Sequence, residues 1–206
     1  MNKVYKINQF NSDDYIVEGR DVMYQGFFRI DQYQLKHKLF AGGESALIRR
    51  EVFERGDAVV LIIFDKKQRQ VLMIEQFRVG AIRSQDNPWL LEFVAGMFDQ
   101  GEQPIDVAIR EAKEEANIDI SADDCHFVCE FLPSPGGTSE KIYMYVAYTD
   151  LSAYQDGQSH GLADEHEDIM VHKLPLTEAL ALQAQGKVNN ASSIIGLQWL
   201  ALQFGE

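Results

Sequence analysis

Three glutamates, Glu111, Glu114 and Glu115, stand within five consecutive residues of the stretch GMFDQGEQPIDVAIREAKEEANI, residues 96–118. Like charges at neighbouring positions of a helix repel one another, so the arrangement needs a compensating partner. A cluster of hard carboxylate oxygens is what Mg²⁺, or Mn²⁺ in its place, requires, and either ion cancels the repulsion. Mg²⁺ typically takes one or two carboxylates together with phosphates of a substrate. The chemistry in view is metal-assisted reaction of a phosphate compound. A merely solvated acidic face accounts poorly for Gly96 and Glu102 at the entrance to the segment.

The carboxylates need a helix to hold them in register. Pro104 suits a first helical turn, where its missing N–H does no harm. From Pro104 to Ala116, a period of about 100° per residue puts Ile105, Ala108, Ile109, Ala112 and Ala116 on one stripe. The small alanines allow close approach to a sheet. Glu111 and Glu115 are i,i+4 neighbours beside that stripe, Glu114 flanks them, and Arg110 is placed to pair with Glu114.

The rest of the chain supplies the sheet. Residues 1–56 read as a β-rich arm: VYKINQF, then YIVEGRDVMYQGFFRIDQYQLKHKLF, then ALIRREVFE. This arm is rich in positive charge, including Arg29, Lys36, Lys38, Arg49, Arg50 and Arg55. The core spans residues 57–206. AVVLIIF and VLMIEQF, joined by the polar KKQRQ, read as a hairpin. WLLEFVAG reads as a strand ending at Gly96. CHFVCEFL, KIYMYVAY and IMVHKL are further strands. Helices are expected at about Thr177–Gln185 and, after an Asn190 cap, Ala191–Phe204. Strands outnumber helices without strict alternation, which indicates an α/β (α+β) fold with a mixed sheet and helices packed on it.

Bulk properties narrow the function classes. The net charge of −13 and pI near 4.8 oppose nucleic-acid binding as a main task. The longest apolar run, Ala58–Phe64, is too short to span a bilayer, so no membrane partner is expected. The N-terminus lacks the apolar core of a signal peptide. Cys125 and Cys129, four apart on one strand, would share a face without bridging and are expected as buried free thiols. A reducing cytoplasm is the expected compartment.

The full spacing is Gly96, five residues, Glu102, seven residues, then Arg110-Glu111-Ala112-Lys113-Glu114-Glu115-Ala116-Asn117-Ile118. It resembles the Nudix box, G-x5-E-x7-R-E-U-x-E-E-x-G-U with U apolar, and fills every charged position. Ala112 is small for the first U, and Asn117 replaces the glycine that ends the helix. Asn tolerates a left-handed conformation there better than other non-glycine residues. The resemblance implies an αβα sandwich whose loop–helix–loop binds Mg²⁺. It implies Glu111, Glu115 and the main-chain carbonyl of Ala95 as metal ligands, with Glu114 close by. Glu102 and Arg110 would orient the helix and its carboxylates.

Further stretches extend the likeness over nearly the whole chain. Pro133 lies fifteen residues past Ile118, a spacing similar to that of the ADP-ribose pyrophosphatase subgroup. FERG, EQFR and the acidic loop HGLADEHED are also similar to bacterial members. The resemblance implies hydrolysis of ADP-ribose to AMP and ribose 5-phosphate by a domain-swapped homodimer, the arm of one subunit helping to bind the other's substrate. The loop offers Glu165 as first candidate base, and Glu167 as second candidate or additional metal ligand; Glu114 is the helix alternative. For substrate, Arg78 is a phosphate donor or a salt-bridge partner of Glu75. Arg50 with Phe27–Phe28 sandwiches adenine or packs at the dimer interface. Glu140 holds a ribose hydroxyl or flanks a strand, and Met97 joins the substrate contacts. The rival readings are hydrolysis of another NDP-sugar such as GDP-mannose, and a noncatalytic nucleotide sensor; the latter would be favoured by lost box glutamates, and none is lost.

Overall fold

Backbone pairing in the computed structural model, which describes residues 7–83, 87–98, 101–162 and 166–205, divides the chain into two units. One runs to Arg55 and includes Ser134–Glu140; the other is Gly56–Pro133 with Lys141–Glu206.

The N-terminal unit is an antiparallel sheet of β1 (Tyr15–Gln25), β2 (Arg29–His37) and β3 (Ile48–Glu54), in that order. Two irregularities, between Val17 and Gly19 and between Val22 and Tyr24, interrupt the β1–β2 register. Asp31, near the start of β2, is fully buried and paired with Arg20 and Arg29. The described part of VYKINQF, Ile7–Phe10, is not a strand. Asn11 caps a short 3-10 turn instead, its Oδ1 accepting from the Asp13 N–H at 2.7 Å and its own N–H donating to Asp14 at 2.9 Å. Short polar side chains that bond local backbone compete with a ladder. ALIRREVFE also starts late, at Ile48.

The second unit has a sheet ordered β10-β11-β5-β4-β9-β8, formed by β4 (Ala58–Asp65), β5 (Gln70–Phe77), β8 (Cys125–Phe131), β9 (Ile142–Tyr148), β10 (Ser159–His160) and β11 (Ile169–Pro175). The β4–β9 pair is parallel and the others antiparallel, so the sheet is mixed. β4 and β5 pair only at Ile63–Asp65 with Gln70–Leu72. Beyond that, β6 (Trp89–Glu92) pairs with β5 and β7 (Val94–Met97) pairs with β4. WLLEFVAG is thus two strands broken at Phe93. That ring is buried against Gly196, where a Cβ would overlap it.

Alternation on the buried β4 builds both cores. Val59, Leu61 and Ile63 face α1 (Pro104–Ala116); Val60, Ile62 and Phe64 face α2 (Leu176–Ala184) and α3 (Ala191–Phe204). The result is an αβα sandwich. The last helices fall within a residue of expectation, and the Asn190 side chain accepts from the Ser193 N–H at 2.9 Å.

Two sequence expectations need correction. Cys125 and Cys129 are free and half-buried, but they do not share a face: Cys125 packs on the α1 side and Cys129 on the other. A bulge between Phe127 and Cys129 shifts the alternation by one residue. On α1 the buried stripe is Val107, Ala108, Ala112 and Ala116, with Ile105 and Ile109 only half-buried. This rotation carries Glu115 into the buried face rather than beside it. No helix among the described residues is long and apolar enough to cross a membrane.

α1 ends in a Schellman turn. Asn117 is left-handed at φ 48°, and the Ile118 N–H reaches the Ala112 carbonyl at 3.1 Å. Asn117→Gly is expected to keep or raise stability, because glycine takes this conformation freely. Asn117→Val is expected to lose about 1–2 kcal/mol, the usual penalty for a left-handed L-residue. Urea unfolding midpoints check both.

Candidate functional site

The end of α1 is laid against β7 at a position without a side chain. At Gly96 a Cβ would overlap the carboxylate and Cγ of Glu111. One turn on, Glu115 is 2% exposed and its Oε2 accepts from the Ala95 N–H at 3.0 Å. The structure therefore brings Ala95, Gly96, Glu111 and Glu115 together. It does so because alanines at 108, 112 and 116 let the helix approach the sheet closely.

Burial dominates the electrostatics. It pushes the Glu115 carboxyl up to about 8, offset in part by the Ala95 N–H and Arg78, and reinforced by Glu111 and Glu167. Burial likewise raises Glu111 to about 7, against the Arg110 guanidinium and with Glu114 and Glu167 opposing its charge. Two desolvated, mutually repelling carboxylates favour neutral forms unless a cation joins them.

Arg110 organises the other side of the helix. Its Nη1 lies 2.9 Å from Glu111 Oε1 and 2.8 Å from Glu114 Oε2, and its Nε lies 3.4 Å from Glu102 Oε1. Its Nη2 donates to the Met97 carbonyl at 3.5 Å. Glu102, Met97, Arg110, Glu111 and Glu114 are thus gathered around one guanidinium, and the i,i+4 pairing with Glu114 is as the spacing indicated.

The loop before β11 closes on itself. Glu167 accepts from the Leu162 N–H at 3.3 Å and returns its own N–H to the Leu162 carbonyl at 3.1 Å. Gly161, at φ 107°, sits where a Cβ would meet Glu167. Glu167 is near enough to Glu111 and Glu115 to raise both. Glu165 lies outside the described residues.

Of the two expectations for Arg78, phosphate donor or salt-bridge partner of Glu75, the second is not met: Glu75 bonds His172 Nε2 at 2.8 Å. The Arg78 Nε donates to Glu92 Oε2 at 2.8 Å. Arg78 lies just past the end of β5, and Glu92 pairs in register with Ile74, whose side chain packs in the core under α1, whereas Glu75, the next residue, points to the other face.

The remaining expected contacts are in the N-terminal unit. Phe28 stacks edge-on with Phe27 and Phe53, and the Arg55 guanidinium lies 5.8 Å from its centroid. Arg55 Nη1 also pairs with the buried Glu140 at 2.9 Å. Arg50 is exposed and donates to the Arg49 carbonyl. Sequence reasoning singled out neither Glu92 nor this role of Arg55. It also missed Gln76, buried on β5 with no partner for Nε2 among the described residues. Tyr154, whose hydroxyl donates to the Ala116 carbonyl at 2.7 Å, was missed as well. A buried strand carrying an isolated glutamate or glutamine was the available signal for two of them.

The donors fit a hard divalent cation. Glu111, Glu115, the Ala95 backbone and Glu167 are oxygen-bearing, and the raised carboxyls mark a place where positive charge is favoured. Among the described residues no three His, Cys, Asp or Glu side chains already converge on one point. Glu111 is turned to Arg110, with which an ion would compete.

Comparison with known proteins agrees with this geometry. The NUDIX domain family model matches residues 54–195. The chain is 45% identical over 193 residues to the ADP-ribose pyrophosphatase of Escherichia coli K12, covering 94% of this chain and 90% of that one. It is 32% identical over 163 residues to the GDP-mannose pyrophosphatase of Cronobacter sakazakii, covering 78% and 82%. A solved structure of an ADP compounds hydrolase shares the fold, with TM-score 0.67, 22% identity, and 94% and 97% coverage. With the Gly96–Glu111 contact, the Arg110 network and the αβα sandwich in place, the chain belongs to the NUDIX family.

Proposed function

We propose that this chain is a Mg²⁺-dependent pyrophosphatase that hydrolyses ADP-ribose to AMP and ribose 5-phosphate. The observation that carries the reading is the Glu111–Glu115 pair beside Ala95 and Gly96, Glu115 buried and Glu111 half-buried, which favours a divalent cation where a diphosphate can be held. The choice of ADP-ribose rests on a likeness that is higher and longer for the ADP-ribose pyrophosphatase than for the GDP-mannose enzyme.

A bound divalent ion supplies positive charge for the diphosphate oxygens and lowers the pKa of the attacking water. Glu111, Glu115, the Ala95 carbonyl and Glu167 would hold it. Glu102 and Arg110 fix the helix carboxylates, and Arg78 offers N–H donors to phosphate oxygen. Water adds to one phosphorus, its proton passes to the Glu165 carboxylate, and the bridging P–O bond breaks. Glu165 is taken as the base on the family resemblance, since position in the sequence alone does not choose between it and Glu167.

The assembly is a homodimer in which the N-terminal unit contributes Phe28, Arg50 and Glu140 to a partner's substrate. Its support is the exposure of apolar Ile16, Val22, Met23, Tyr24 and Phe27 on and after β1, a patch that isolated soluble sheets rarely leave uncovered. Two free thiols suit a reducing cytoplasm.

Assay of a panel of nucleoside diphosphate derivatives with Mg²⁺, scored by phosphate release after phosphatase treatment, should place ADP-ribose first by kcat/KM. Faster hydrolysis of GDP-mannose would overturn the substrate, and no hydrolysis the enzyme reading. Glu111→Gln and Glu115→Gln should each lower turnover at least about a hundredfold, as charge stabilisation of several kcal/mol is lost; near-normal turnover at low Mg²⁺ would sink the assignment. Glu165→Gln should cut turnover while sparing Mg²⁺ affinity, and Glu167→Gln should act more on metal dependence, as paired titrations would read. Mixing Arg50→Ala with Glu115→Gln should restore one working site per mixed dimer. Demonstrated subunit exchange without returning activity would refute the shared site.

A further inference from the structure

Arg78 and Glu92 form a fixed pair at the edge of the carboxylate site. The Arg78 backbone N–H donates to the Pro88 carbonyl at 2.9 Å, tying the residue to the segment that leads into β6. Its side-chain Nε donates to Glu92 Oε2 at 2.8 Å. The Glu92 side chain is 14% exposed and that of Arg78 is 42% exposed, so the carboxylate is the buried anchor and the guanidinium reaches outward.

The pairing uses only one edge of the guanidinium. The two Nη groups, with four of its five N–H donors, have no partner among the described residues. A half-exposed arginine without such an anchor samples many rotamers and loses that freedom on binding an anion. Held at Nε, the planar group presents a preset fork, the geometry that suits two oxygens of a phosphate. Glu92 pairs in register with Ile74, which packs in the core under α1, so the anchor of the fork stands on the sheet face that carries the helix carboxylates.

We propose that Glu92 is a positioning residue that holds Arg78 by Nε, so that its Nη groups meet the diphosphate of the substrate in a fixed orientation. The inference rests on the pyrophosphatase reading for the identity of the anion. It assigns Glu92 no contact with the reacting atoms.

The test is a double-mutant cycle of Glu92→Ala and Arg78→Lys, with Glu92→Gln as the conservative variant. Two quantities are read: kcat and KM for ADP-ribose with Mg²⁺, and metal-free binding of α,β-methylene ADP-ribose by calorimetry. Glu92→Ala should raise KM and weaken analogue binding about tenfold while changing kcat much less, the signature of lost binding common to ground and transition states. Glu92→Gln keeps an acceptor oxygen for Nε–H and should recover most of that loss. Arg78→Lys keeps charge but not the fork, and should weaken binding similarly. The double variant should bind no worse than Arg78→Lys alone, because Glu92 acts only through Arg78. Losses that multiply in the double variant, or analogue binding unchanged in Glu92→Ala, overturn the proposal. A wild type that binds the analogue with this Glu92 dependence but does not hydrolyse ADP-ribose would refute the function and leave the positioning role intact.

Discussion

Withdrawing two carboxylates from water between α1 and β7, Glu115 fully and Glu111 in part, is the constraint to which the rest of the second unit is fitted. A carboxylate taken out of water is costly unless charge or hydrogen bonds replace its hydration. Glu115 receives one N–H from Ala95, and Glu111 receives one guanidinium. Neither restores an ordinary carboxylate environment, as the upward push on both groups shows. The fold holds this unfavourable arrangement by packing around it. Gly96 leaves room for the Glu111 carboxylate, and Ala108, Ala112 and Ala116 bring the helix close enough to withdraw the pair from water. Such local cost, offset by a well-packed surround, is typical of functional sites.

The sheet serves the same end. β4 and β5 separate after three paired residues, and β6 and β7 occupy the opening. That divergence puts Ala95 and Gly96 under α1 and sets Glu92, on the adjoining strand, on the same side. The break at Phe93 makes both placements possible, because its ring turns into the opposite core, where Gly196 makes room. The two glycines act at different layers in one way, each removing a Cβ where another side chain must enter.

The sequence was most legible where local chemistry decides. The span of α1, the left-handed Asn117, the Asn190 cap, the β4–β5 hairpin and the Arg110–Glu114 pairing all depend on neighbours within a few residues. It was least legible where partners come from afar. The Cys125–Cys129 expectation assumed an unbroken alternation, and a bulge decided by the β9 partner removed it. WLLEFVAG carried no sign that its halves pair with different strands. The helical stripe expected from periodicity includes Ile105 and Ile109, yet packing selects Val107 and Glu115 instead, since the space over Gly96 is what the helix must fill. The salt-bridge alternative for Arg78 draws on Glu75, near in sequence, whereas the partner it finds, Glu92, comes from the neighbouring strand β6.

The charged groups show how a surface with net charge −13 can still receive an anion. Arg110 pairs with Glu111 directly, Arg78 moderates the charge of Glu115, and each arginine is held by a carboxylate outside the Glu111–Glu115 pair. For Arg110 these are Glu102 and Glu114; for Arg78 it is Glu92. Each arginine thus has a partner that fixes its orientation and a neighbour whose charge it moderates. A lysine would supply the charge but not the planar donor set that permits both contacts at once. Arg110 has most of its edges engaged and so stabilises the helix carboxylates, whereas among the described residues Arg78 has a partner only at Nε. The arginine with free donors is the one suited to meet a phosphate, and its availability follows from the single bond that Glu92 makes to it.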